Sequence, residues 1–215
     1  MNANLNIATQ PLPLLASTPG MPHRRHRVAG IELANGSLRR FREVASSLQT
    51  DQCAPDVDAI ACAARNLTCQ FSGMRRAPAI SVRMRALRAL RAMASEPAWD
   101  MAPAQQRQIA LISDYAANED RLVPDATPVI GGLDEAVLVD LAWPSVRFEL
   151  DDYLDFRRLR AEEAAMRGRN PHDIRFDRQD WIQAKAAERA WRAHVSGRGC
   201  SSYLDRAAAP VFQIH

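Results

Sequence analysis

The sequence predicts an all-α protein: an irregular multi-helix bundle in which a Pro/Gly-rich turn seats a short, buried central helix. Three observations predict it. Ala, Arg and Leu dominate, β-branched runs are nearly absent, and only 9 of 215 residues are Gly, a mixture that favours helix. Prolines separate segments whose apolar residues recur at helical spacing. One stretch, LVPDATPVIGGLDEAVLVDLAW from Leu122 to Trp143, gathers two prolines, a Gly-Gly pair, an acidic pair and an apolar run.

Residues 1–30 read as a disordered leader. Pro11, Pro13, Pro19 and Pro22 break any period, the first acid is Glu32, and His23–Arg27 (HRRHR) is the dense basic cluster. The sharper alternative is an export address or an electrostatic arm, with possible peripheral membrane contact. The apolar LPLLA is too short for a signal-peptide core.

Residues 31–100 form an N-terminal helical region. Ser37–Gln49 is a short helix with Ser37 as its cap, and Asp56–Ser72 is a second, with Val57, Ile60, Ala61, Ala64 and Leu67 on one face. Ala79–Ser95 is the clearest amphipath. Val82, Ala86, Leu87, Ala89, Leu90 and Met93 make its apolar face, and Arg85, Arg88 and Arg91 lie opposite. Arg83 falls on the apolar side and is expected to pair or snorkel. Residues 101–168 form a helical core. Pro103–Asn118 presents Ile109, Ile112 and Ala116 inward, with Leu111 and Tyr115 beside them. Leu133–Trp143 is apolar almost all round and suits a short central helix, which Pro144 is expected to break or sharply kink. Ser145–Gly168 runs from acidic to basic, with Arg158 and Glu162 placed to pair and Gly168 as the stop. Residues 169–215 supply a last helix, Asp177–Val195, docking through Trp181 and Trp191, and then an aperiodic tail.

Charge is segregated. Residues 1–100 carry 13 Arg and 7 acids, residues 101–166 carry 6 Arg and 13 acids, and residues 167–215 carry 9 basic and 5 acidic residues. A basic–acidic–basic order fits docking between regions or self-association. Arg85, Arg88 and Arg91 are the partner-binding candidates. Few aromatics interleave with them and no nucleic-acid module is present, which argues against nucleic acid.

The motif of interest is Pro124, Asp125, Pro128, Gly131, Asp134 and Glu135. The prolines restrict the backbone and the glycines permit a tight turn that brings Asp125 back toward Asp134. Asp125, Asp134 and Glu135 are then candidates for holding Mg²⁺ or Ca²⁺, or for acid–base work. The simpler role is capping, with Asp125 on turn amides and Asp134 and Glu135 on the N–H groups that open the next helix. On the simpler reading there is no metal and no cofactor. Asp151, Asp152 and Asp155 form a second acidic group, for which arginine partners are the plainer expectation. Ser201, Ser202 and His194 lack an elbow motif and an orienting acid, so no hydrolase triad is expected. Cys53, Cys62, Cys69 and Cys200 form no C-x-x-C pair; they are read as buried thiols in a reduced, cytoplasmic protein.

The order V-P-D-x-x-P-V-I-G-x-L-D-E-A-V-L-V resembles the signature of the YkvA-like family of small, mostly bacterial helical proteins. The resemblance covers about residues 105–166. It departs at Arg121, where the family usually has Asp, and at Glu135, where the second acid is usually Asp. Many members of that family are expected at membranes, but Asp125, Asp134, Glu135 and Asp140 make a bilayer span of this stretch untenable. The family implies a helical fold and brings no established activity. The leading expectation is therefore a non-enzymatic interaction or scaffold module, with an enzyme built on the acidic motif as the alternative.

Overall fold

A computed structural model of the chain describes residues 7–14, 27–28, 31–32, 34–48 and 57–200. Among the described residues it is all-α. The helices are α1 (Asn35–Leu48), α2 (Val57–Gln70), α3 (Pro78–Ala94), α4 (Pro103–Ala117), α5 (Leu133–Met166) and α6 (Arg178–Cys200). Two-residue antiparallel strands, β1 (Arg27–Val28) and β2 (Ile31–Glu32), form the one sheet among these residues. Two compact units divide the chain, residues 1–155 and 156–215. Expectations placed on residues 15–26, on Cys53 and on the tail with Ser201 and Ser202 lie outside the described residues.

In the first unit α4 packs on α1 and α3, and Phe41 of α1 meets Tyr115 of α4 edge-on, with ring centroids 6.2 Å apart. Pro78 and Pro103 occupy the first turns of α3 and α4, where a missing N–H costs nothing. The apolar face expected on α3 is buried at Val82, Ala86, Leu87, Leu90 and Met93. The start of α5 is enclosed on all sides: Leu133, Ala136, Val137, Leu138 and Val139 are all buried. Arg83 is also buried and pairs as expected. Its Nε donates to Asp140 Oδ1 at 2.7 Å, and its Nη1 donates to the Gln10 and Ala79 carbonyls at 2.7 and 2.9 Å.

Several expectations are corrected. The first lies in the leader, where residues 7–14 are not disordered. Ile7 and Leu12 are buried in the hydrophobic core, and the Gln10 carbonyl accepts from Arg83. These apolar residues cover the foot of α3, and the carbonyl satisfies a buried guanidinium. Ser37 lies inside α1, which begins at Asn35, and is not its cap. Cys62 is half-buried and Cys69 exposed.

Pro144 does not end its helix: α5 runs unbroken from Leu133 to Met166. A proline removes one intrahelical hydrogen bond, here to the Asp140 carbonyl. Side chains of α4 attend the backbone beside it. Gln105 Nε2 donates to the Ser145 carbonyl at 2.9 Å, and the Ser145 hydroxyl lies 2.6 Å from Gln108 Oε1 and 2.8 Å from the Ala142 carbonyl. With Leu133 to Val139 buried ahead of it, packing outweighs one lost bond.

In the second unit, Gly168 ends α5 as expected, at φ +62°. The Arg169 N–H reaches the Ala164 carbonyl at 2.9 Å and the Gly168 N–H reaches that of Ala165 at 3.1 Å, a Schellman closure. Arg158 and Glu162 pair at 2.8 Å. Asp177 and Asp180 box the start of α6: Asp177 Oδ1 accepts from the Gln179 and Asp180 amides, while Asp180 Oδ2 accepts from the Asp177 amide. Trp181 is buried, but Trp191 is 65% exposed, so the expectation that both tryptophans are covered is corrected at Trp191. The polar residues Glu188, Arg189 and Arg192 surround Trp191 in sequence, and Glu188 spends itself on Lys185 and Arg192 within the helix.

Candidate functional site

The turn between α4 and α5 closes on itself through its own amides. The Thr127 N–H donates to the Pro124 carbonyl at 3.0 Å, and the Gly131 N–H to the Thr127 carbonyl at 2.9 Å. Gly131 is required by this closure, because a Cβ there would run into the Asp125 carbonyl and lie 2.9 Å from that of Thr127. Gly132 follows at φ +81°, which only glycine adopts without strain. Val129 also has a positive φ, +70°, and as a β-branched residue it is strained there. It is held by the segment leading into α3: its N–H donates to the Arg75 carbonyl at 3.0 Å, and its carbonyl accepts from the Ala77 N–H at 2.8 Å. The same clamp brings Arg75 and Arg76 to the turn.

The three acids of the motif do three different things. Asp134 is fully buried. Its Oδ2 accepts from the Tyr115 hydroxyl at 2.7 Å and from the Leu122 and Val123 amides at 2.9 and 3.1 Å. It therefore fastens the entry of the turn, where a cap on its own helix was expected. Asp125 takes guanidinium groups where turn amides were expected. It accepts from Arg76 at 3.2 Å and from Arg121 at 2.7 Å, and its side chain is half-exposed. Glu135 is buried and accepts from the same Arg121 nitrogen at 3.1 Å. Asp125 and Glu135 do converge, on a guanidinium. Among the described residues no three His, Cys, Asp or Glu side chains are grouped to hold a metal ion.

Burial, and then the adjacent Asp134, push the Glu135 carboxyl up to about 8, so it holds its proton at neutral pH. Asp134 Oδ1 and Glu135 Oε2 are both buried with no hydrogen-bond partner. A proton on Glu135 relieves the repulsion between these adjacent buried carboxyls. Tyr115 is raised as well, by burial first and by Asp134 second, and it stays a donor.

Above these groups opens a cleft of about 490 Å³. Arg75, Arg76, Arg88, Arg91 and Arg121 line it, with Asp125 and Glu135, over a floor of Met84, Leu87 and Ala116. Arg121 and Arg76 are engaged by the acids. Arg91 is held by neutral groups, its Nε and Nη2 donating to the Ser113 hydroxyl and carbonyl at 3.2 and 3.1 Å. Arg88 reaches only the Met84 carbonyl, at 3.4 Å, and no carboxylate lies within ion-pair distance of Arg75 or Arg88 among the described residues. Arg85 lines an adjoining recess with Arg76 and Arg88.

Four of the six motif residues thus sit in the turn and Asp134 and Glu135 in the first turn of α5, and two of the three singled-out arginines, Arg88 and Arg91, line the same cleft as Asp125 and Glu135. Pro124 and Pro128 are exposed and only shape the backbone. Asp151 and Asp152 are exposed, as is His194. Sequence reasoning missed Tyr115 as the partner of Asp134, though an inward-facing tyrosine needs a partner for its hydroxyl. It also missed Arg75 and Arg76, for which no local signal exists. Comparison with family models, with curated proteins and with solved structures gives no match to this chain.

Proposed function

We propose that the protein is a non-enzymatic interaction module of YkvA-like character, acting in the bacterial cytoplasm, and that the arginine face of α3 docks an acidic protein partner or a second copy. The observation that carries this reading is the imbalance in the cleft. Five guanidinium groups meet two carboxyl groups there, of which only Asp125 is charged at neutral pH, and Arg75 and Arg88 are left without an acid. Surface arginines with no internal ion pair are available to a partner without first breaking one. No described helix is long and apolar enough to cross a membrane, which fits a partner met in water. Cross-linking and mass spectrometry from native cells test it: wild-type chain yields specific cross-links near α3, and Arg85→Glu with Arg88→Glu abolishes them. Unchanged cross-links, or none in the wild type, would sink the proposal.

One observation favours the alternative of an enzyme. Glu135 keeps its proton near neutrality and lines a cleft, the disposition of a general acid. The metal version of that alternative has less support, since Arg121 occupies the position between Asp125 and Glu135 where a cation would sit. Glu135→Gln separates the readings. Loss of cellular function with an intact fold and intact cross-links favours the enzyme; retained function favours the module.

A further inference from the structure

We infer that the cleft between α3 and the turn is a phosphoryl-binding site, in which Arg75, Arg88 and Arg91 take the oxygens of one phosphate group. This rests on reading the arginine face as a docking surface, and it specifies what that surface grips.

The argument starts from charge. With Asp125 ionised and Glu135 protonated at neutral pH, five arginines and one carboxylate leave the lining four positive charges in excess. Arg76 and Arg121 are engaged by Asp125 and Glu135, so the arginines with no acid partner, Arg75, Arg88 and Arg91, lie on α3 and its lead-in. Arg88 and Arg91 stand three apart on one face of α3, and Arg75 enters from the strand-like segment clamped to Val129. Three guanidinium groups approaching from two elements exceed what one carboxylate, a planar monoanion, can satisfy. A tetrahedral group with two charges and three free oxygens matches them.

The site also carries an internal precedent. Asp125 uses its two oxygens separately, Oδ1 on Arg76 and Oδ2 on Arg121, so an anion bridging guanidinium groups is already accommodated at the rim. The size fits as well. A cleft of about 490 Å³ exceeds a lone phosphate and leaves room, over Met84, Leu87 and Ala116, for part of the group that bears it. Ser81 adds a hydroxyl to the lining.

The phosphate has two possible sources, a free phosphorylated small molecule or a phosphorylated side chain on a partner. The test is isothermal titration calorimetry of the full chain at low salt. The probes are inorganic phosphate, pyrophosphate, and a phosphoserine peptide with its unphosphorylated twin. Saturable one-to-one binding of phosphate or pyrophosphate supports the site with a small-molecule source. Binding of the phosphopeptide but not its twin supports the site with a protein source. In either case Arg75→Gln and Arg88→Gln each weaken binding about tenfold or more. Arg39→Gln, on an exposed arginine of α1 paired only with Glu43, leaves it unchanged. Absence of saturable binding by every probe overturns the inference, as does equal weakening by Arg39→Gln. If cross-links depend on Arg88 while no probe binds, this inference fails and the docking face stands.

Discussion

Asp134→Ala is the substitution with the largest expected effect on stability. Asp134 Oδ2 satisfies three donors, the Tyr115 hydroxyl and the Leu122 and Val123 amides. The Leu122 N–H keeps a second acceptor, the Tyr115 oxygen at 3.1 Å, so the variant fully orphans two groups, Tyr115 O–H and Val123 N–H. Each buried orphan costs about 1–3 kcal/mol, and relief of a buried carboxyl offsets part of the sum, leaving about 3 kcal/mol. That is a large fraction of the ~5–15 kcal/mol typical of a whole domain. Asp134→Asn keeps an acceptor oxygen and is expected to cost about 1–2 kcal/mol. Urea unfolding followed by far-ultraviolet circular dichroism measures both, with the slope unchanged. A cycle with Tyr115→Phe should show a coupling of about 1 kcal/mol or more between the two sites. If Asp134→Ala lies within about 0.5 kcal/mol of wild type, the buried fastening is not what holds the turn to α5.

Three further outcomes follow from the same structure. The Glu135 carboxyl is raised from 4.5 to about 8 in the folded protein, so its contribution to stability is full below about 4.5 and is lost as pH rises through about 8. Glu135→Gln, which cannot ionise, should therefore flatten the fall in melting temperature between pH 5 and 9, and parallel profiles would contradict this. Gly131→Ala places a methyl against two carbonyl oxygens of the turn and should cost about 2–4 kcal/mol in denaturant titrations, whereas Gly36→Ala, which meets nothing within 4 Å, should be neutral or slightly stabilising. Arg83→Met strands the half-buried Asp140 and the Gln10 carbonyl at a cost of about 3 kcal/mol, and adding Asp140→Leu should recover much of it; no recovery would mean the ion pair is not the cause.

Periodicity and punctuation made most of the helices legible. Pro78, Pro103 and Gly168 mark ends because each acts through its own backbone, whatever surrounds it. Pro144 was misleading for the complementary reason: its effect depends on whether neighbours cover the loss, and Gln105 and Gln108 are distant in sequence. The motif residues were legible as a group, since prolines, glycines and acids at close spacing announce an unusual turn. Their division of labour was not, because it is set by Tyr115, Arg76 and Arg121 approaching from three directions. Arg121 stood out as a departure from a family pattern, yet nothing in the sequence says that one guanidinium bridges both ends of the turn. Trp191 fits the apolar period of α6 but lies in water. A periodic face shows that a residue can be buried, and a neighbour must still arrive to cover it.

The strained Val129 bears on the order in which the chain takes shape. Its φ of +70° is unfavourable for an isolated peptide, and the two hydrogen bonds that hold it come from Arg75 and Ala77, more than fifty positions earlier. The conformation of Val129 therefore depends on a segment distant in sequence as well as on the turn's own bonds. During synthesis the lead-in to α3 leaves the ribosome first, and the hydrogen bonds that hold Val129 can close only once the turn has followed it. Arg75 and Arg76 are carried on that same lead-in, so the contacts that hold Val129 also fix two of the arginines of the cleft.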